Sequence, residues 1–176
     1  MKSDAGRFGA HYRPGNEDDF DVLYRETYQR IFATLVVILK DRSGAEDATQ
    51  DAFLRAFRAW AKWKQDAPAE AWVHRIALNV AFSQRRREQL REVGKLVLRL
   101  GRPENPDPTE GLHPELWREL RALPPKQAAV IVLRHLHGYS NREIALTLGI
   151  PEATVASRLA AAKARLRVRL GDQIDD

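Results

Sequence analysis

From Phe20 onward the chain sets apolar residues at helical spacing. Phe20, Leu23, Tyr24, Ile31, Leu35 and Ile38 recur three, four and seven positions apart in FDVLYRETYQRIFATLVVILKD, which is one face of a helix. After Ile31 the apolar residues are too dense for a single face, so this end is expected to be buried on more than one side. In the following DRSGAEDATQDAFLRAFRAWAKW, Ser43 and Glu46 have the spacing of a capping box and predict a new helix start. Phe53, Phe57 and Trp60, with Ala45, Ala52 and Ala56 close by, are assigned to its inward face. Asp47, Gln50, Asp51 and Leu54 fall at i, i+3, i+4 and i+7 and share another face. After a turn at KQDAPAE, the segment AWVHRIALNVAFSQRRREQL predicts a third helix ending in Arg85, Arg86 and Arg87.

The pattern weakens near Gly94. GRPENPDPTEGLHP carries four prolines and two glycines, with Glu104, Asp107 and Glu110. Proline opposes helix and stiffens a chain, so this reads as a semi-extended linker. A second unit begins near Leu116. ELWRELRALPP is a helix stopped by Pro124 and Pro125, and PKQAAVIVLRHLHG is another, stopped by Gly138. Ser140 and Glu143 form a second capping-box pattern ahead of NREIALTLG, which Gly149 ends. Pro151 is expected in the first turn of a last helix running through PEATVASRLAAAKARLRVRL. No strand pattern is visible. The fold class is therefore all-α, with two small helical domains joined by a Pro/Gly-containing linker. The divisions are a flexible N-terminus at 1–17, a first domain at 18–92, a linker at 93–113 and a second domain at 114–171.

Charge sharpens this picture. The 176 residues carry a net +5, unevenly spread. Met1 to Phe53 holds seven Lys/Arg against ten Asp/Glu, whereas Trp72 to Arg102 holds eight against two. Ala153 to Leu170 has five basic residues and no acid. Two separated basic patches point to two places where phosphate is met. There is no cysteine, which excludes disulfides, thiolate zinc sites and thiol catalysis. His135 and His137 lie two apart near a helix end and point to different sides, with no third ligand close by, so no metal is expected. No Gly-rich phosphate loop or catalytic triad is readable, and no cofactor, small-molecule substrate or enzymatic activity is expected. No run of 18 apolar residues exists and the N-terminus lacks a signal-peptide pattern, so membrane insertion is not expected and a cytoplasmic location is.

The second domain has the mechanics of a helix-turn-helix. Ile144, Ala145, Leu148, Ile150, Val155 and Leu159 form the apolar set of two helices packed across a tight turn. YSNREIALTLGIPEATVASRL resembles region 4 of sigma-70 family factors, specifically the small extracytoplasmic-function (ECF) type. AEDATQDAFLRAF is similar to the polymerase-docking helix of region 2, and WVHRIALNVAFSQRRR resembles the adjoining −10 recognition and melting segment. The resemblance spans about residues 18 to 170 and makes the first domain a region 2 helical bundle.

That resemblance implies a division of roles. Asp47, Gln50, Asp51 and Leu54 would meet core RNA polymerase at the β′ clamp, the β subunit being the other expected contact. Trp63, Arg75, Asn79, Arg85, Arg86 and Arg87 would hold the −10 strand of promoter DNA, with Trp60 and Trp72 read as core and Trp63 as the freer ring. Arg142, Thr154, Ala156, Ser157, Arg158, Ala160, Ala161, Lys163 and Arg165 would face the −35 element. A separate anti-sigma factor is the implied regulator. The chain departs from the family pattern at Ser83, where many members carry Asp. It departs again at Ala156, Ala160 and Ala161, where basic or bulky residues are usual. Alanines remove long polar contacts worth about 1–3 kcal/mol each in base discrimination, while Arg142, Arg158, Lys163 and Arg165 still suit phosphate. Two alternatives stay open: a free-standing helix-turn-helix regulator, and a sigma-like protein that docks on polymerase without selecting promoters.

Overall fold

The computed structural model describes residues 12–94 and 114–170. The expected linker begins at 93, but positions 93 and 94 are helical; its remainder, with Glu104, Asp107 and Glu110, falls outside the described residues, as do positions 1–11 and 171–176. The described residues form helices and turns without strands, so the fold is all-α.

The first bundle holds three helices. Helix α1 (Glu17–Leu39) starts at Asn16, whose side-chain oxygen accepts the Asp19 amide at 2.9 Å. Glu17, Asp18 and Asp19 fill its first turn, where a helix end favours negative charge. Residues 12–16, expected to be flexible, are tied down instead. The Tyr12 hydroxyl donates to Glu26 at 2.7 Å, Arg13 pairs with Asp19 at 2.9 Å, and the Trp60 indole N–H donates to the Asn16 carbonyl at 2.7 Å. These contacts are polar and use no apolar periodicity, so the sequence pattern did not disclose them.

Helix α2 (Arg42–Ala59) is capped by Asp41, not by Ser43. Asp41 Oδ2 accepts the Gly44 amide at 3.1 Å. Asp is as good a cap as Ser, and here it precedes the predicted one by two positions. A Cβ at Gly44 would stand 2.8 Å from Asp41 Oδ2 and 3.0 Å from Gln84 Nε2, so glycine lets the start of α2 fit between its own cap and its neighbour. A short 3-10 turn (Trp60–Lys62) leads toward α3 (Ala69–Gly94). Phe53 and Trp60 are buried as expected, but Phe57 lies outside the core, 46% exposed, with its ring edge-on to Phe20 at 5.2 Å.

The second bundle begins with α4 (Pro114–Ala122) and α5 (Pro125–Ile131). The chain then widens into a π-helical turn (Val132–Leu136), in which the His137 amide reaches back to the Val132 carbonyl at 3.1 Å. Gly138 follows at φ 68°, past the point where α5 has already ended. The Ser140–Glu143 capping box opens α6 (Asn141–Leu148), with both reciprocal bonds present at 3.2 and 2.7 Å. Gly149 at φ 64° ends that helix in the left-handed conformation that glycine adopts without strain. Helix α7 (Glu152–Leu170) follows. Pro151 stands just ahead of its first turn, not in it, and its carbonyl accepts the Thr154 and Val155 amides at 2.9 and 3.2 Å.

Helix α1 joins the two bundles. It packs on α2 and α3 on one side and on α4 and α5 on the other, while α6 leans on α3. Thr34, Leu35, Val36, Val37, Ile38 and Leu39 are consequently buried in an unbroken run. This accounts for the density of apolar residues after Ile31: a helix covered from two directions has no polar face to keep.

Candidate nucleic-acid interface

Helix α2 presents its polar face to solvent because Ala45, Ala48, Ala52 and Ala56 bring the opposite face close against its neighbours. Asp47 and Gln50 are exposed, Asp51 is half-buried, and Leu54 is 48% exposed. The four residues share one side of the helix, as their spacing requires. Asp51 is engaged with Arg55 at 2.8 Å, an i,i+4 pair that leaves Asp47 as the more available carboxylate. Phe57 stands one turn beyond Leu54, and Val22 and Tyr24 are exposed on α1. The sequence reading placed Phe57 and Tyr24 on apolar faces, because apolar residues at helical spacing normally mark a core, and did not assign Val22.

On α3 the expected −10 residues separate into distinct environments. Asn79, Arg86 and Arg87 are exposed. Arg85 is half-buried and donates to the Ile38 carbonyl at 2.8 Å, completing the C-terminal end of α1. Arg75 is half-buried and its Nη2 donates to the Leu146 carbonyl of α6 in the other bundle. Trp63 corrects the sequence reading. It is 8% exposed and stacked on Trp60, with ring centroids 5.1 Å apart, so it is a core ring here and offers no platform for a base. Trp72 is the half-buried member of this trio, 6.2 Å from Trp63. All three tryptophans carry similar apolar neighbours in sequence, and no periodicity separates the one that the 3-10 turn folds inward.

Helix α7 buries Val155, Leu159, Ala162 and Leu166 in a stripe at spacings of four, three and four. Ala156, Ser157, Ala160, Ala161, Lys163 and Arg165 face outward, Thr154 and Arg158 are half-buried, and Arg142 is exposed on α6. The outward face is thus a strip of methyl groups bordered by cations. Arg169 at the far end is held by Glu119 of α4 at 3.1 Å.

Between the bundles lies a buried polar cluster that the sequence reading missed. His137 Nε2 is 2.7 Å from the Thr34 hydroxyl, and Arg30 Nε donates to His137 Nδ1 at 3.4 Å. The tautomer follows: Nδ1 accepts, so Nε2 carries the proton and donates to Thr34, which donates onward to the Arg30 carbonyl at 2.9 Å. His74 Nδ1 lies 3.1 Å from both the Glu70 carbonyl and the Tyr139 hydroxyl. The Arg30 guanidinium stands 2.8 Å from Glu70 Oε1, an ion pair without hydrogen-bond alignment. Burial holds both histidines neutral, His74 down to about 3 and His137 down to about 2, with His74 and then Arg30 adding to the shift of His137. Burial raises Glu70 above the ordinary carboxylate value, against the pull of Arg30, and raises Tyr139 as well. No group of three or more His, Cys, Asp or Glu with metal-site geometry occurs among the described residues.

Comparison with known proteins gives this arrangement a family. The family model for Sigma-70 region 2 matches residues 23–91, and that for Sigma-70 region 4 matches residues 113–166. The chain is 32% identical to the ECF RNA polymerase sigma factor SigM of Mycobacterium tuberculosis, over 97% of this chain and 86% of the relative. It is 31% identical to the ECF RNA polymerase sigma-E factor of Escherichia coli K12, over 85% of each. Among solved structures, the sigma factor RpoE in complex with the anti-sigma factor NepR from Bartonella quintana shares the fold. Its TM-score is 0.74 at 23% identity, covering 89% of this chain and 99% of that one. CnrH in complex with the cytosolic domain of CnrY is similar at TM-score 0.67 and 25% identity, covering 97% and 99%. The chain therefore belongs to the ECF sigma factors of the sigma-70 family, which direct transcription initiation.

Proposed function

We propose that this sigma factor divides promoter-dependent initiation between two exposed faces on separate bundles. The observation that carries the reading is their coexistence on one chain: a carboxylate-and-amide face on α2 and a cation-bordered helix α7. Asp47, Gln50 and Asp51 suit charge-assisted bonds to a basic clamp on the polymerase β′ subunit, with Leu54 adding apolar contact. Asn79, Arg86 and Arg87 meet the −10 strand, the arginines through phosphate and Asn79 through a base edge. Arg85 supports that surface from the end of α1, and Arg75 joins it once released from Leu146. Catalysis belongs to the polymerase, and this chain works through binding energy alone. Among the described residues no helix is long and apolar enough to cross a membrane, and the site of action is the cytoplasm.

At the −35 element, Arg142, Arg158, Lys163 and Arg165 hold phosphate, with Thr154 and Ser157 as the remaining polar side chains. Ala156, Ala160 and Ala161 give only methyl contact, so thymine methyls and DNA shape carry the residual selectivity. The solved neighbour bound to the anti-sigma factor NepR supports a protein regulator of the same kind here. The test is capture of core polymerase from the same bacterium followed by run-off transcription on genomic fragments. Capture with discrete transcripts is the expected result. Capture without transcripts would favour the docking-only reading, for which the exposed alanines of α7 speak, and failure of capture would overturn the assignment.

A further inference from the structure

We propose that His135 is a further phosphate contact of the −35 surface, an imidazole that becomes cationic only against DNA. The proposal rests on the −35 reading of α7 just given. The two histidines at the end of the π-helical turn have separate fates. His137 is buried and engaged with Thr34, whereas Arg134, His135 and Leu136 before it are three successive exposed residues. Helix α7 packs on α5 through its buried stripe. Lys163 follows the fully buried Ala162, so it emerges at the edge of that seam. The His135 ring lies within electrostatic reach of both Lys163 and Arg134, which places the end of the turn beside the middle of α7. Arg134 is steered by its bond to the Tyr139 carbonyl at 2.9 Å. A phosphate that meets Lys163 therefore approaches His135 as well.

The surroundings of the ring set the sign of its response. Partial burial, then Lys163, then Arg134 hold it below the ordinary 6.5, so it is neutral in the free protein near pH 7. The elements packed against the turn are α5 and α6. Helix α6 carries exposed Arg142, and Glu143, which the Ser140 cap occupies. Helix α5 carries Lys126 in its first turn, about 13 Å along the axis from His135. DNA reverses this balance. An anion within about 4–6 Å favours the charged form of a base, and a protonated imidazole donates from both nitrogens. Binding then takes up a proton, and affinity rises as pH falls. The formal charge of +5 counts histidine as neutral, so the chain would carry one more positive charge on DNA than that count gives. A neutral ring in the free protein also spares Lys163 and Arg134 the repulsion of a third cation.

The test compares holoenzymes on a duplex promoter fragment recovered by run-off transcription. Affinity is measured between about pH 8 and about pH 6.5, a range in which His74 and His137 stay neutral. His135→Gln keeps a polar side chain at this exposed position and cannot be charged. As pH falls, the parent should gain affinity over that variant, by up to about 10-fold per pH unit. The slope of log affinity against log salt should steepen in the parent by about 0.9 at the lower pH, and stay constant in His135→Gln. His135→Lys, a cation throughout the range, should bind more tightly than the parent at about pH 8 and lose the extra pH dependence. Parallel pH profiles for the parent and His135→Gln, or a parent salt slope that does not change with pH, would overturn the role of His135. Lys163→Ala should weaken binding at both ends of the range. No loss in that variant would sink the −35 reading itself, and polymerase capture tests the sigma assignment separately.

Discussion

His137 Nε2 stands 2.7 Å from the Thr34 hydroxyl, a contact that spans 103 positions of sequence and joins the two helical bundles. It requires a neutral ring, because Arg30 already donates to Nδ1 on the other side. Arg30, Glu70, His74 and Tyr139 surround the ring, and Glu143 of α6 and Glu26 of α1 act on the same cluster from farther out.

A pH dependence follows, with a definite sign. Both histidines are held far below their ordinary value of 6.5, so the unfolded chain takes up protons that the folded chain refuses. Stability is complete above about pH 6.5 and falls as pH drops below it, toward about 3. For one histidine the slope is about 1.4 kcal/mol per pH unit. Glu70 has the opposite sign because burial raises its folded value: its contribution is present below the ordinary 4.5 and is lost as pH rises through the folded value. Urea denaturation at pH 7.5 and 5.5 should therefore show a clear loss at the lower pH, and a flat profile would contradict neutral burial.

The cap of α2 gives a second prediction. Asp41→Ala should cost about 1 kcal/mol, because its carboxylate holds the Gly44 amide at 3.1 Å. Ser43→Ala should cost far less, since Ser43 lies inside the helix and is exposed. Thermal melts of the two variants separate the cap seen from the one that the sequence pattern favoured.

This cap shows where sequence legibility ended. Helix existence, the Ser140–Glu143 box, the Gly149 stop and the Val155–Leu166 stripe were all readable, because each depends on neighbours within one or two turns. Asp41 and Ser43 are both good caps, and local spacing does not choose between them. Trp63 is buried because it follows the 3-10 turn after α2, and no period reports that turn; Phe57 is exposed within α2 itself, where Phe53 and Ala56 take the inward positions. The His74–His137–Tyr139 cluster was invisible for a different reason. Its members come from distant segments, and His137 sat at an apparent helix end that in fact closes a π-helical turn.

Charge reversal at Asp47 is the cleanest probe of docking. Asp47→Lys should weaken capture of core polymerase about 10-fold or more, the loss of one charge-assisted bond. Its melting temperature should stay close to the parent's, because the residue is exposed. Asp51→Lys should act the same way but also removes the Arg55 pair, which costs at most a few tenths of a kcal/mol at such exposure. Binding by competition with a labelled sigma factor measures both, and unchanged affinity for both variants would remove this face from the interface.

The arginine tail of α3 should divide by role. Arg86→Ala and Arg87→Ala, both at exposed positions, should each reduce the salt dependence of holoenzyme–DNA binding. The slope of log affinity against log salt should fall by about 0.7–0.9 for each phosphate that is no longer neutralised. Arg85→Ala should lower stability instead, because its guanidinium serves the Ile38 carbonyl at 2.8 Å. Salt titrations paired with melts test all three, and a lowered slope without destabilisation in Arg85→Ala would reverse its role.

The alanine face of α7 makes the last prediction. A reading helix with long polar side chains loses about 1–3 kcal/mol for each wrong base pair. Ala156, Ala160 and Ala161 are exposed and carry no polar side-chain atom, so single substitutions across the −35 element should cost less than about 1 kcal/mol each. Overall affinity should remain strongly salt-dependent, because Arg142, Lys163 and Arg165 are exposed and available to phosphate. Ala160→Arg should then raise affinity for many sequences and steepen the losses at one or two positions where guanine is available to a bidentate contact. A base-pair scan of the parent holoenzyme beside that variant decides the matter. Steep losses in the parent would mean that backbone geometry or bound water reads bases which the alanines do not reach.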